Sequence, residues 1–157
     1  MKPITPETNQ IGTSSGDLAF ADKDIVFDWL AVDIPKGTHK LINAMMIVQG
    51  THGARQAEVD FQLWFAKSID GVAPPSLGTP NNAQTGTGHR KHMLGTLNFE
   101  ATMSTSDINA FESFYNTGMA SAGGTLNPSQ VVVVGGDPNS GVNVGYDTIY
   151  VAGITAG

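Results

Sequence analysis

Two pairs of ionisable side chains stand at spacings that could do chemistry. His89 and His92 are three apart in His89-Arg90-Lys91-His92, where two imidazoles could contribute to a metal site. Glu58 and Asp60 alternate along a segment that reads as a strand, so both carboxylates share one face and could divide acid and base roles as in glycoside hydrolysis. Each pair meets an objection in its own neighbourhood. Arg90 and Lys91 put positive charge between the histidines, and no nearby carboxylate completes a ligand set, so a solvated loop or strand start is the ordinary reading. The two carboxylates read as the marks of a solvated or interface face.

The remaining candidates thin out in the same way. Gly12-Thr13-Ser14-Ser15-Gly16 matches the G-x-S-x-G string, yet a nucleophile elbow needs a buried strand before it and a helix after it, and neither is present. His39 and His52 each lie beside turn residues, as hydrogen-bonding loop histidines do. Asp137, Asn139, Asn143 and Asp147 offer oxygen ligands at near-alternate positions, part of a calcium-loop pattern, but Val142 stands where that pattern requires glycine. A hard cation there stays open. No phosphate-binding glycine loop ends in Gly-Lys-Ser/Thr, and no dinucleotide fingerprint follows a strand into a helix. With no cysteine in 157 residues, thiolate metal sites, disulfides and cysteine nucleophiles are excluded together. The expectation is a chain that is not an enzyme, with no catalytic residue, no cofactor and no assigned metal ligand.

Composition points the same way. Eight Lys and Arg against fourteen Asp and Glu leave a net charge of −6, which opposes nucleic-acid binding through phosphate neutralisation. Only 14% of residues are charged, against roughly 25% in an ordinary soluble domain. A neutral polar surface suits either a loop-rich domain or a subunit largely covered by neighbours. No apolar run approaches the roughly 18 residues of a membrane span. The start, Met1-Lys2-Pro3-Ile4-Thr5-Pro6, lacks the apolar core of a secretory signal, so synthesis and retention in a cytoplasm are expected.

The elements that must position these residues are mostly strands. Residues 1–16 are polar, rich in Pro, Thr, Ser and Gly, and without periodicity, which predicts a flexible arm ahead of a single domain at 17–157. Ile25 to Val32 reads as a largely buried strand, and Leu41 to Gln49 as a second. From Glu58 to Ala66, Val59, Phe61, Leu63 and Phe65 point one way and Glu58, Asp60, Gln62 and Trp64 the other. Trp64 on the mainly polar side needs cover from a loop, a sheet or a partner. Asp70 to Gly88 is a long loop with Pro74-Pro75, Pro80 and Asn81-Asn82, and it is the best candidate contact segment.

Further strands are expected at about Lys91 to Ala101, Gln130 to Val134 and Val144 to Ile154. Ser104 and Asp107 have capping-box spacing, and Ile108, Phe111 and Tyr115 follow at helical intervals, predicting one short helix. The expected fold is mainly β: an antiparallel β-sandwich, jelly-roll-like, with one short helix.

The segments Asp24-Ile25-Val26-Phe27-Asp28-Trp29, Phe65-Ala66-Lys67-Ser68-Ile69-Asp70-Gly71 and Pro138-Asn139-Ser140-Gly141-Val142-Asn143-Val144-Gly145-Tyr146-Asp147 resemble small virion structural proteins of tailed bacteriophages, most of all capsid decoration or cement proteins. The resemblance spans the β-rich body from about Asp24 to Ile154. It implies a jelly-roll-like homo-oligomer, with a trimer favoured, that is made in the host cytoplasm and sits on the outer capsid surface. There it would bind the major capsid protein and tie neighbouring coat subunits together, without nucleic acid or membrane as partner.

The residues expected at such an interface follow from the segments rather than from the family. They are Ile4 and Ile11 in the arm, Trp64 on the polar strand face, and Pro74, Pro75, Leu77, Asn81 and Asn82 in the long loop. Two other readings compete. One is a different virion structural role, in the tail or at head completion. The other is a carbohydrate-binding β-sandwich in which Trp64, Tyr146 or Tyr150 stacks on sugar rings.

Overall fold

The computed structural model of the chain describes residues 20–41, 44–49, 60–99, 104–109, 112–116, 132–134 and 146–156. The arm with Ile4 and Ile11, the Gly12 to Gly16 string, His52, Glu58 and most of the Asp137 to Asp147 segment lie outside these residues.

Among the described residues nine strands run in chain order: β1 (Ile25–Pro35), β2 (Thr38–Lys40), β3 (Met45–Gln49), β4 (Phe61–Lys67), β5 (Met93–Phe99), β6 (Ser104–Asn109), β7 (Glu112–Asn116), β8 (Val132–Val134) and β9 (Tyr146–Thr155). Four of them form an antiparallel sheet in the order β1-β9-β4-β5. β2 and β8 form a two-stranded ribbon, and β3, β7 and β6 a three-stranded sheet. The protein is thus mainly β, built on a four-stranded antiparallel sheet. The last strand lies between the first and the fourth, so its ten residues are paired on both edges over most of their length. Among the described residues no helix is long and apolar enough to cross a membrane.

Period-two alternation sorts the four-stranded sheet into two differently covered faces. On one, Val32, Phe61, Phe65, Leu97, Phe99, Ile149 and Val151 form a buried cluster, with Phe27, Leu41, Ala44 and Leu63 packed against it. On the other, Ile25, Leu77, Ala152 and Ile154 are buried and Trp29 and Trp64 pack beside them. Gly153 in β9 belongs to the first face because a side chain there would collide with Phe27, whose ring atoms lie 2.4–3.0 Å from the position of an added Cβ. Only a bare backbone lets that ring lie against the central strand.

β1 departs from the expected buried strand. Only Ile25 and Val32 along it are buried, and register shifts between Ile25 and Phe27 and between Phe27 and Leu30 break its pairing with β9. Its place at the end of the sheet explains both, since bulges and carboxylates such as Asp28 and Asp33 are what keep an edge strand from further pairing.

The helix expected from Ser104 is instead the strand pair β6 and β7, in which Ser104 faces Tyr115 and Asn109 faces Glu112. A helix of about a dozen residues is marginal by itself. Thr105, Phe114 and Tyr115 favour extended backbone, and pairing with β3 supplies the ladder that a helix would have made internally. The helical turn that the described residues do contain is a 3₁₀ segment, Gly88–His92, leading directly into β5.

Candidate functional site

The segment between β4 and β5 carries most of the side chains singled out above. It opens with a two-residue hairpin turn: Asp70 and Gly71 both have positive φ, 51° and 74°, and Ile69 and Val72 exchange backbone hydrogen bonds of 3.0 and 2.9 Å. Asp-Gly is the sequence that tolerates this geometry. The chain then crosses the second face of the sheet and is pinned to β1 at each step. The Trp29 indole N–H donates to the Pro75 carbonyl at 3.0 Å, and the Leu77 N–H donates to the Asp28 carboxylate at 2.9 Å. The Ile25 N–H donates to Asn82 O at 3.0 Å, and the Asn81 N–H to Ile25 O at 2.8 Å. At its end the buried His92 donates from Nδ1 to the Lys67 carbonyl at 2.9 Å, since a carbonyl can only accept. The long loop is therefore a fixed cover rather than a free strap.

Where this places the expected interface residues is uneven. Pro75 and Asn82 are exposed, Trp64 and Asn81 are half-buried, and Pro74 is buried. Leu77 is wholly buried and makes its contacts inside the domain, with Ile25, Ala152 and Ile154. The large hydrophobic side chain that the loop leaves exposed is Val72, 63% exposed at the hairpin tip. Its position after Asp-Gly was the available signal, because a residue closing a two-residue turn stands at the end of its hairpin.

Trp64 receives loop cover. Its indole tilts against His89 at a ring-centroid distance of 5.4 Å, and Trp29 lies on the same imidazole at 6.3 Å. His89 is thus a core aromatic between two tryptophans, 4% exposed, and its Nδ1 has no hydrogen-bond partner among the described residues. Burial holds its pKa below the ordinary value, and the nearby Arg90 and His92 push it further down. His89 and His92 face different surroundings, and among the described residues no three His, Asp or Glu side chains come together as a metal site would require.

His39, Asp147 and Asp24 brace turns and a strand start. His39 Nε2 lies 2.8 Å from the Pro35 carbonyl. Asp147 accepts from the Gly37 N–H at 3.2 Å and so braces the turn between β1 and β2. Asp24, buried at the start of β1, accepts from Ala21 N–H at 2.7 Å, while Thr155 Oγ1 accepts from Asp24 N–H and donates to Ala21 O. Tyr150 is 8% exposed, which removes it from any surface stacking role.

Beside Trp64 the second face opens into a cleft of about 540 Å³, within the range of small-ligand sites. Gln62 and Trp64 of β4 and Ile154 of β9 form its floor, Gln84 of the loop one wall, and Asp22 with Lys23 another side. Asp22 and Lys23 form an exposed ion pair at 3.4 Å. Gln62 stands on the strand face that alternation assigned to Trp64, but Gln84 reaches the cleft because the loop folds back, and Lys23 because its N–H is bonded to Thr155 O of β9. Comparison of the chain with protein-family models, with curated proteins and with solved structures returns no match.

Proposed function

We propose that this chain is a non-enzymatic binding subunit of a virion, a capsid decoration protein that sits on the outer surface and joins neighbouring coat subunits. The observation that carries the reading is the shape and chemistry of the loop between β4 and β5. From Ser68 to Gly88 its one charged residue is Asp70, it is held to β1 by four hydrogen bonds, and it turns Val72 and Pro75 outward. Charge depletion marks the core of protein interfaces, and a loop ordered before it meets its partner loses less entropy on docking. The sheets described above suit a jelly-roll-like sandwich, and homo-oligomers, trimers first, suit a protein placed at a symmetric point of a shell. The resemblance of the β-rich body to phage cement proteins supplies the partner, the major capsid protein.

Sedimentation of the purified protein with capsids stripped of it tests the reading. Saturable binding and a higher native mass than one chain are expected. Val72→Glu should weaken capsid binding at least tenfold while changing stability by no more than about 0.5 kcal/mol, as exposed substitutions do. A monomer that ignores capsids overturns the proposal.

A further inference from the structure

We infer that the Trp64 cleft binds a neutral sugar ring, an activity separate from attachment to coat protein. The argument turns on which halves of two glutamine amides are already used. Trp64 Nε1 can only donate, so its 3.1 Å bond to Gln62 fixes the Gln62 Oε1 atom inward. The Gly86 carbonyl can only accept, so its contact with Gln84 fixes the Gln84 Nε2 atom in the same manner. Each amide has one half committed and one half left over: Gln62 keeps its NH₂ and Gln84 keeps its carbonyl oxygen, neither with a partner among the described residues.

With Gln62, Gln84 and Trp64 all in its lining, the cleft has one uncommitted amide donor and one uncommitted amide acceptor available beside an indole. A hydroxyl group donates and accepts at once, and a pyranose carries several around a ring whose C–H face packs on an aromatic surface. Anions and cations fit less well. An anion would meet the Gln84 oxygen and the Asp22 carboxylate, and a cation would meet the Gln62 NH₂ and Lys23, while the Asp22–Lys23 pair is neutral as a unit. The volume of about 540 Å³ admits one or two sugar units at the end of a chain.

The test is a ¹⁵N-detected titration of the full chain with the methyl glycosides of glucose, galactose, mannose and N-acetylglucosamine, one at a time, at tens of millimolar. At least one is expected to bind with a millimolar Kd and to shift the Gln62 side-chain NH₂ and the Trp64 indole N–H. The Trp29 indole N–H, bound to Pro75, should stay in place. Gln62→Met and Gln84→Met, which keep side-chain length, should each weaken that binding about five- to tenfold. Absence of any shift in a folded protein, shifts spread equally over Trp29, or binding unchanged in both variants would each overturn the inference. Inorganic phosphate displacing the sugar at equal concentration would do so too. Capsid binding shares no component with this titration, so either result stands without the other.

Discussion

The two faces of the four-stranded sheet are covered by different means. The face built on Phe61, Phe65, Leu97 and Phe99 is apolar throughout its buried cluster, and strand alternation alone places its residues. The opposite face is covered by a loop, and its smaller cluster mixes Ile25, Leu77, Ala152 and Ile154 with two tryptophans and a buried histidine. Hydrogen bonds from Trp29 and to Asp28 replace part of the apolar contact there. The contrast separates two kinds of cover: one face is closed by apolar packing between strands, and the other by a loop held in shape by hydrogen bonds to β1.

Substitutions can break that contrast or sharpen it. The largest effect is expected from Phe99→Ala, whose ring is fully buried in the apolar cluster. Urea unfolding should show a loss of about 3–5 kcal/mol shared by every probe. Leu77→Ala, equally buried on the loop side, should fall toward the lower end of the about 2–5 kcal/mol range because a loop can settle into the space. Hydrogen exchange reads the difference. The Asn81 and Ile25 amides, bonded across the loop, should exchange faster, while those of Phe65 and Val151 in the β4–β9 ladder stay protected. Equal acceleration everywhere would mean that the two faces unfold as one.

Asp28→Ala removes the acceptor of the Leu77 N–H and should cost about 1–2 kcal/mol, again confined to loop amides. The smallest effect is a pH dependence from His89. Its folded-state pKa is lowered, chiefly by burial, so the unfolded chain takes up the proton more readily. Its full contribution to stability is present above the ordinary value of 6.5, declines as the pH falls below it, and levels off once the folded-state histidine is itself protonated. A urea midpoint that drops between about pH 7.5 and about pH 5 in the native chain, and drops less in His89→Phe, is the expected outcome.

Much of the sheet was legible because period-two alternation is a local property. Phe61, Phe65, Leu97, Phe99 and the run from Ile149 to Ile154 could be placed in strands, and most of them on a face, from their neighbours alone. The strands β6 and β7 were not, because the spacing of Ile108, Phe111 and Tyr115 fits a helix, and the choice between helix and hairpin depends on β3, more than fifty residues earlier. Leu77 misled for a related reason. A leucine between Pro75 and Gly78 has no periodicity to mark it, and its burial follows from where Asp28 and Trp29 hold the loop.

By itself, then, the order of residues determined that the protein is mainly β, low in charge, free of thiol chemistry and provided with a long loop whose one charged residue is Asp70. Tertiary structure alone decided that this loop is fastened down, that His89 lies between Trp29 and Trp64, and that Gln62 and Gln84 line one cleft. Alternation and composition act between neighbours in the chain. Burial and hydrogen-bond partnership across twenty to fifty residues depend on loop closure and sheet order, which local residue patterns do not encode.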